Sequence, residues 1–480
     1  MQTQRTTEEQ GMTKEQSKKQ DTTENAWDVV IVGAGATGLA AAHSAARRGL
    51  RVALLERGDT VGGNIGTRRD SGWQTEIGPN TLMMKPPLYA LLEELELLDE
   101  AQPANTAARK RFVAYQGAPV ALPTHPLKAV TNPLLGAKGW SQVLREPFAR
   151  RAPEREESLA AFVERRLGRR VLDYMVDPFV SGVYAGDPSR LSAPAAMKRL
   201  VALEQKYGSL IRGGLTGLIK ARRAPSPLPP EWRGQLVSFP DGLRRLTDRL
   251  AERIEAQPAA RIHLGCEASS IQRTSEGWCV ETKDQRFRAS ELVLAVPAHV
   301  SARLLEPVDP ALSRPLEEIV YPSVNAVALG FRAEDIMHPL DGFGLLIPNR
   351  EQRTTLGVLF SSTLFPNRAP DGHVLLTGFM GGRRRPGVAE WDDDAQVAQV
   401  LYDLRDLLGI RGEPVWSRVQ RWPKAIPQYE FGHLERIEAL DAALAHHEGL
   451  SLVGNWRGGI AVGDCLENGR LLGERLAPAR

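Results

Sequence analysis

This chain of 480 residues has few cysteines and no dominant charge of one sign. The three cysteines, Cys266, Cys279 and Cys465, have no metal-ligand spacing and are too few for a disulfide framework. We therefore predict a cytoplasmic protein with reduced thiols and no metal. The 61 Lys and Arg residues nearly balance 58 Asp and Glu, and the net charge of +3 argues against nucleic acid as the main partner.

Long hydrophobic runs are also lacking. The nearest case, residues 29–46, is almost free of charge, but its three glycines, its threonine and His43 argue against a membrane helix. The first 26 residues have no apolar core of the kind found in a signal peptide, and we interpret them as a disordered tail. The remaining composition, 42% hydrophobic and 25% charged, is ordinary for a globular protein and excludes disorder of the whole chain.

A strand–turn–helix–strand pattern opens the folded part. Residues 28–32 are mostly β-branched and predict a buried strand, residues 39–48 predict a helix ended by Gly49, and residues 51–55 predict a second strand. The turn between the first strand and the helix consists of Gly33, Ala34, Gly35, Ala36, Thr37 and Gly38. Glu56 ends the second strand, where it can accept hydrogen bonds from a ribose. This pattern predicts a Rossmann-like dinucleotide site with the diphosphate at the helix N-terminus.

The residues after Glu56 favour FAD over NAD. Arg57 follows the acid, and Gly62 and Gly63 form a glycine pair six residues beyond it. This extension is typical of flavin enzymes of the amine-oxidase and glutathione-reductase types. A second close approach of the backbone would let the cofactor lie extended across its domain. The alternative interpretation is an ordinary glycine turn.

The rest of the sequence predicts an α/β plus α+β protein with a discontinuous cofactor domain. A helix is predicted near residues 88–98, and strands near 326–331, 345–347, 356–360 and 373–379. A strand at 450–454 and a helix after it return to the cofactor domain. The predicted segments are a tail (1–26), FAD-binding parts (27–100, 225–300 and 448–480), a mostly helical insert (101–224) and an α+β substrate domain (301–447).

The chain resembles the protoporphyrinogen oxidase family over nearly everything after residue 27. The stretches that carry the resemblance are residues 76–80, 110–112, 176–188, 238–243, 342–348, 359–362 and 454–459. The resemblance implies the oxygen-dependent, six-electron oxidation of protoporphyrinogen IX to protoporphyrin IX through FAD. Oxidation of coproporphyrinogen III, an amine oxidase activity and a non-enzymatic flavoprotein remain as alternatives. The implied partners are the porphyrinogen and O2, and a homodimer is left open.

The resemblance also implies the site residues. Arg111 would pair with a substrate propionate, Gly182 would line the pocket, Leu346 and Leu359 would hold a pyrrole ring, and Phe379 would stack on another. From the sequence alone, the apolar residues are better explained as strand core, Arg111 as part of a solvated basic patch and Gly182 as a turn glycine, and only the resemblance favours the site. The implied FAD contacts beyond the first glycine motifs are Gly78, Pro79, Asn80, Thr81, Ala268, Trp422, Ile460, Ala461 and Val462. No catalytic acid or base is predicted, because the flavin performs the chemistry.

The helical insert resembles the membrane-associated domain of this family. Its apolar faces and arginines suit a peripheral contact with a membrane surface. A cap over the active site is the alternative that the sequence leaves open.

Overall fold

The computed structural model describes residues 26–123, 131–150, 156–223 and 226–478. The predicted tail, residues 1–26, lies outside them except for its last residue. The strands, in chain order, are β1 (Ala26–Val32), β2 (Val52–Leu55), β3 (Thr67–Asp70), β4 (Trp73–Glu76), β5 (Leu82–Met83), β6 (Gln102–Pro103), β7 (Phe112–Tyr115), β8 (Ala118–Ala121), β9 (Leu236–Ser238), β10 (Ala260–His263), β11 (Ser270–Thr274), β12 (Gly277–Glu281), β13 (Arg286–Leu294), β14 (Val324–Arg332), β15 (Gly344–Leu346), β16 (Gly357–Leu359), β17 (His373–Gly381), β18 (Trp416–Trp422) and β19 (Leu450–Leu452).

The α-helices are α1 (Ala36–Arg47), α2 (Pro86–Glu94), α3 (Gly136–Arg145), α4 (Leu159–Leu167), α5 (Arg169–Val171), α6 (Asp177–Tyr184), α7 (Ala193–Ala196), α8 (Lys198–Tyr207), α9 (Leu210–Arg223), α10 (Arg244–Glu255), α11 (Ala298–Leu305), α12 (Pro310–Glu317), α13 (Ser361–Leu364), α14 (Asp393–Leu408), α15 (His433–Leu444) and α16 (Val462–Gly473). A π-helical turn, Leu172–Val176, joins α5 to α6. Among the described residues, no helix combines the length and the apolar character needed to cross a membrane.

The chain divides into two compact units. The first contains the described residues up to Gly63, Leu246–Glu317 and the residues from Glu438 onward, and the second contains Asn64–Arg245 and Glu318–Ile437. Both units are built from segments that are distant in sequence.

The first unit is organised around a sheet in the order β10-β2-β1-β13-β12-β11, with β19 also pairing with β13. The pairs β10–β2, β2–β1, β1–β13 and β13–β19 are parallel, whereas β12 and β11 continue the sheet antiparallel. Residues 29–32 and 52–55 are buried, as expected for central strands of a parallel sheet covered on both faces.

Helix α16, from the C-terminal segment, packs on α1 of the first unit. A Cβ at Gly469 would lie 2.2 Å from the Thr37 carbonyl oxygen, and one at Gly473 would lie 2.4 Å from that of Ala41. Only glycine permits this close approach of the two helices. The C-terminal segment is thus part of the same unit as the first strand and helix.

The second unit contains a sheet in the order β18-β14-β17-β16-β15-β7-β8. One face packs against α14 in a core that includes Leu329, Phe331, Leu376, Val400 and Leu404. The helices between α3 and α9 have an apolar cluster of their own, which includes Leu159, Phe162, Leu172, Val180 and Leu191.

The region 101–224 differs from the mostly helical prediction in its first part. Residues 102–103, 112–115 and 118–121 are strands, and β7 and β8 belong to the large sheet. Residues 112–114 are all buried, so this short hairpin lacks the alternation of apolar and polar residues that predicts a half-buried strand. Among the described residues of this region, the α-helices begin at Gly136, after a short 3-10 helix at Thr106–Arg109.

Candidate cofactor and substrate sites

The glycine turn after β1 brings α1 directly onto the strand. Gly33 has a φ of +102°, and a Cβ there would lie 2.8 Å from the Ala295 carbonyl oxygen. A Cβ at Gly38 would lie 1.9 Å from the carbonyl oxygen of Gly33 itself. Any side chain at Gly38 would therefore push the helix away from the strand. These two glycines are required by the protein's own packing.

Gly35 is different, because neither the packing nor the backbone conformation of the protein requires a glycine at this position. Its φ of −76° and ψ of −177° suit any residue, and no atom lies within 4 Å of a Cβ built on it. Gly35 is the N-cap of α1, whose first N–H groups and dipole attract anions. A bare backbone next to open space at a helix N-terminus fits a bound diphosphate.

Glu56 holds the turn in place through its carboxylate. One oxygen accepts a hydrogen bond from the Ala34 N–H at 2.9 Å, and the other accepts one from the Gly58 N–H at 2.9 Å. A carboxylate oxygen has two lone pairs, so these bonds leave acceptor capacity for a ribose hydroxyl. Arg57, the next residue, is exposed.

The second glycine pair lies against the first motif. The Gly62 N–H donates to the Ala34 carbonyl oxygen at 2.8 Å, and a Cβ at Gly63 would lie 3.2 Å from the Gly35 Cα. Gly63 has a φ of +57°. The structure thus brings together the two glycine motifs that the sequence separates by more than twenty residues.

Two further predicted cofactor segments belong to the same unit. The loop before the buried Ala268 is tied to Glu56, because the Cys266 N–H donates to the Glu56 carbonyl oxygen at 2.8 Å. Ile460 and Ala461 immediately precede α16, which begins at Val462 and packs on α1. In α16, burial raises the pKa of the Cys465 thiol to about 11, so this cysteine stays protonated and unreactive at neutral pH.

In the second unit, the predicted turn at residues 78–81 meets Trp422. The Trp422 indole N–H donates to the Ile77 carbonyl oxygen at 2.6 Å. The backbone at Gly78 is tightly packed, since a Cβ there would lie 2.2 Å from the Asn64 carbonyl oxygen. The Asn80 side-chain amide donates to the Gly78 carbonyl oxygen at 3.0 Å and closes the turn.

Strand register places the three predicted apolar substrate residues on one face of the second sheet. Leu346 lies opposite Gly357, which lies opposite Phe379. Leu359 lies two residues from Gly357 on the same strand, so its side chain points to the same face. Gly357 has no side chain, and the three apolar side chains are only partly buried. We call this apolar face, formed by Leu346, Leu359 and Phe379 around Gly357, the slot.

Gly182 and Arg111 border the slot. A Cβ at Gly182 would lie 2.5 Å from Leu346 Cδ2, so this glycine lets α6 pack on the slot. Arg111 immediately precedes β7, is exposed, and has its guanidinium 5.3 Å from the centre of the Phe343 ring. In the part of the chain that the structure describes, Arg111 forms no ion pair with a carboxylate, which leaves its fork of donors available for one.

A buried ion pair beside the turn at 78–81 was not identified from the sequence. Glu76 accepts hydrogen bonds from the Thr67 hydroxyl at 2.7 Å and the Leu243 N–H at 3.1 Å, and it lies 3.6 Å from the Arg368 guanidinium. Burial raises the pKa of Glu76 to about 7 and lowers that of Arg368. The sequence offered one indication of this pair, because Glu76 is the first residue of a stretch that resembles the family, residues 76–80. Among the described residues, no cluster of His, Cys, Asp and Glu could hold a metal ion.

The fold and the glycine turn define a dinucleotide-binding flavoprotein of mixed sheets and helices. The family model described as "Flavin containing amine oxidoreductase" matches residues 36–475. The chain belongs to this family.

Individual relatives are similar to this chain over most of its length. The chain is 34% identical over 471 residues to protoporphyrinogen oxidase 1, chloroplastic, of Arabidopsis thaliana, covering 92% of this chain and 86% of the relative. It is 30% identical to coproporphyrinogen III oxidase of Propionibacterium freudenreichii, covering 92% and 89%. A crystal structure of a protein from Exiguobacterium sp. 255-15 superposes with a TM-score of 0.78 at 26% identity, covering 94% and 98% of the two chains.

These matches confirm three predictions. The resemblance to protoporphyrinogen oxidases is confirmed by the identity over most of the chain. The predicted cofactor and enzyme class are confirmed, because the chain belongs to a family of flavin-containing oxidoreductases. The protein is therefore an FAD-dependent oxidoreductase. The coarse fold, mixed sheets and helices of the amine-oxidase flavoprotein type, is confirmed as well.

Proposed function

We propose that this enzyme oxidises protoporphyrinogen IX to protoporphyrin IX, with O2 as the electron acceptor. The observation that carries the proposal is the slot of Leu346, Leu359 and Phe379, bordered by the available guanidinium of Arg111. A porphyrinogen is a large apolar ring with carboxylates on its rim, and it needs this combination of an apolar surface and a cationic anchor. The names of the relatives supply independent support.

The cofactor and the chain have separate tasks. FAD, when bound, would supply two-electron oxidation with O2 as the final acceptor, so a six-electron oxidation needs three turnovers. The chain would hold the diphosphate at Gly35, where a Cβ meets no atom within 4 Å, and the ribose at Glu56. It holds the macrocycle on the slot and a propionate at Arg111. Apolar side chains around the ring also keep water from its reacting carbons.

The same proposal assigns tasks to the two units. The first unit would bind the adenosine diphosphate part of FAD, with Ala268 near the adenine. The second would bind the substrate on its large sheet. Residues 460–462 and Trp422 would lie near the flavin ring, and the turn at 78–81 would be a further FAD contact. Ala34, Ala36, Thr37, Arg57, Gly62 and Gly63 complete the cofactor set. A cytoplasmic location and a homodimer remain predictions.

The helical region supports a peripheral membrane contact. Leu144 and Phe148 are 69% and 84% exposed, and Leu215, Leu218 and Ile219 on α9 are each more than half exposed. Buried Glu146 ties these two groups together, because its oxygens accept hydrogen bonds from the Leu210 and Ile211 N–H groups at the start of α9. Exposed apolar side chains beside basic ones, such as Arg212 and Lys220, suit an anionic lipid surface.

Porphyrin fluorescence tests the function directly. Purified holoenzyme under air should produce porphyrin from protoporphyrinogen IX well above the rate of autoxidation, and substrate should bleach the flavin absorbance in the absence of oxygen. Coproporphyrinogen III, assayed side by side, tests the alternative suggested by the bacterial relatives. Putrescine tests the amine oxidase alternative through peroxide release. A rate equal to autoxidation with protoporphyrinogen IX would reject the proposal, and activity with coproporphyrinogen III alone would select the alternative.

A further inference from the structure

A small cavity of about 10 Å³ lies in the second unit and is lined mainly by polar side chains. Four of these side chains are buried, namely those of Glu76, Ser361, Arg368 and Thr377. A cavity of this volume has room for about one water molecule, and its polar lining offers that molecule hydrogen-bond partners. None of the four residues was predicted as part of the site.

The cavity meets the slot at a pair of hydroxyl groups. Thr377 lies directly opposite Leu359 in the strand register and two residues from Phe379 on β17. Its side chain therefore lies on the face of the sheet that carries the slot. The hydroxyl oxygens of Thr377 and Ser361 are hydrogen-bonded at 2.8 Å, and both residues line the cavity. A hydrogen-bonded pair thus runs from the edge of the slot into the cavity.

Glu76 and Arg368 bring a carboxylate and a guanidinium into the same cavity. Arg368 Nη2 lies 3.6 Å from Glu76 Oε1 and donates to the Ser238 hydroxyl at 2.9 Å. Among the described residues, the buried Nη1 of Arg368 has no hydrogen-bond partner. A buried donor without a partner is costly, and a water molecule in the cavity would accept its hydrogen bond. The cavity therefore suits a water that connects the hydroxyl pair to the carboxylate.

Glu76 also has a connection towards solvent. The Thr67 hydroxyl donates to Glu76 Oε2 at 2.7 Å, and Thr67 is only partly buried. The charged groups around the carboxylate are Arg368 and, beyond it on β3, Arg69, which is paired with Asp241 at the surface. Burial outweighs their attraction and raises the pKa of Glu76 to about 7. A carboxyl group with this pKa can both take up and release a proton at neutral pH.

The proposed oxidation has protons to dispose of. Of the six hydrogens that a porphyrinogen loses, three leave as hydrides, which carry all six electrons, and three leave as protons. For each electron pair, one C–H bond gives up a hydride. A second bond, N–H or C–H, gives up a proton, and its electron pair stays in the ring as part of a new double bond. An apolar slot that excludes water needs an acceptor for this proton.

We propose that Glu76 accepts these protons from the substrate through the hydroxyl pair of Thr377 and Ser361 and one water molecule in the cavity. The hydroxyl pair takes a proton from the ring and passes another to the water. An O–H bond then forms at Glu76, and the carboxylate becomes neutral. The proton leaves for solvent past Thr67, which restores the carboxylate for the next electron pair. The inference rests on the proposed porphyrinogen oxidation and adds a path for its protons.

The test follows the bleaching of flavin by protoporphyrinogen IX in the absence of oxygen, with the holoenzyme at a series of pH values. The wild-type rate should rise with pH through about 7, because Glu76 accepts a proton only as a carboxylate. Glu76→Gln should be about a hundredfold slower and should lose this rise. Thr377→Val removes one hydroxyl at similar volume, and it should also slow bleaching, whereas Thr377→Ser should restore it. The Thr377 variants test the path even where Glu76→Gln does not fold.

Glu204→Gln is the matched control. Glu204 is a buried, ion-paired carboxylate like Glu76, but it pairs with Arg165 and does not line the cavity. Its variant should lower the melting temperature and keep the wild-type dependence of the bleaching rate on pH. A second readout avoids turnover: the infrared C=O band of a protonated carboxyl should fade through about pH 7 in the wild-type holoenzyme and be missing from Glu76→Gln.

The outcomes separate this inference from the proposed function. A Glu76→Gln enzyme that keeps the wild-type pH dependence, or a Thr377→Val enzyme that keeps the wild-type rate, would overturn the inference and leave the proposed function standing. A wild-type enzyme whose flavin is bleached by neither protoporphyrinogen IX nor coproporphyrinogen III would instead overturn the proposed function, and this inference with it.

Discussion

The glycine turn of the first unit and the slot of the second are built in different ways. In the turn, the backbone is the binding surface, and the six residues that form it are consecutive. In the slot, the side chains are the surface, and three short strands bring them together from residues 346 to 379. A site made of backbone needs positions that carry no side chain, so one added side chain can abolish binding. A site made of side chains depends on strand register, and each substitution there changes the binding affinity by a moderate amount.

The largest effect is expected in the glycine turn, where Gly35 and Gly38 have different roles. Gly35→Val should leave the apoprotein folded, because a Cβ there meets no atom within 4 Å and the backbone angles suit any residue. The same variant should lose FAD, since the side chain occupies the path of the diphosphate. Flavin absorbance per protein measures the loss, which should be nearly complete.

Gly38→Val should act on the fold instead. Its Cβ would lie 1.9 Å from the Gly33 carbonyl oxygen, so the helix must move and the melting temperature of the apoprotein should fall. Gly387→Val is the control, since Gly387 lies in open space away from both sites. A yellow Gly35→Val protein would contradict the assignment of the turn.

The next effect concerns stability of the second unit, where a buried carboxylate supports the turn at 78–81. The pKa of Glu76 is about 7 in the folded protein, raised by burial above its ordinary value of 4.5. The folded state therefore binds more protons than the unfolded state between pH 4.5 and 7, and the free energy of unfolding should fall as pH rises through this window, by up to about 3 kcal/mol.

Glu76→Gln mimics the protonated form and should remove this decline. Denaturant unfolding at pH 5, 6 and 7 measures it, and the difference between variant and wild type isolates Glu76 from other carboxyl groups. Glu390→Gln, at an exposed carboxylate, should leave the slope unchanged. If Glu76→Gln shows the wild-type slope, the Arg368 guanidinium keeps Glu76 ionised and burial is not the dominant influence.

The difference between the two sites also explains how much of each site could be predicted from the sequence. The strand–turn–helix of residues 26–47 is a local pattern, so its position and the FAD cofactor were predictable from consecutive residues. The slot residues were predicted only through a family resemblance, because nothing in the residues around Leu346 distinguishes a slot from a core. The Glu76–Arg368 pair joins residues almost 300 positions apart, and Gly182 is required by contact with Leu346. Such contacts exist only once the strands are paired.

A moderate effect is expected on the slot itself. Phe379→Ala should lower kcat/KM for the porphyrinogen about thirtyfold, which corresponds to the loss of about 2 kcal/mol of apolar contact. Val374→Ala is the matched control, because Val374 lies on the same strand and packs against the core of the opposite face. A similar loss of kcat/KM in both variants would indicate a general loosening of the sheet and would remove Phe379 from the proposed site.

The smallest effect is expected at the edge of the slot. Arg111 is exposed and rests on Phe343, so water screens its attraction for a carboxylate. Arg111→Ala should raise KM about fivefold with kcat little changed, since a rim anchor binds the ground state and the transition state alike. Arg111→Lys should recover only part of the loss, because an ammonium lacks the planar fork. Since screening sets the size of the effect, the wild-type KM should rise with salt while that of Arg111→Ala should not. A fall in kcat at unchanged KM would instead give Arg111 a role in orienting the ring during oxidation.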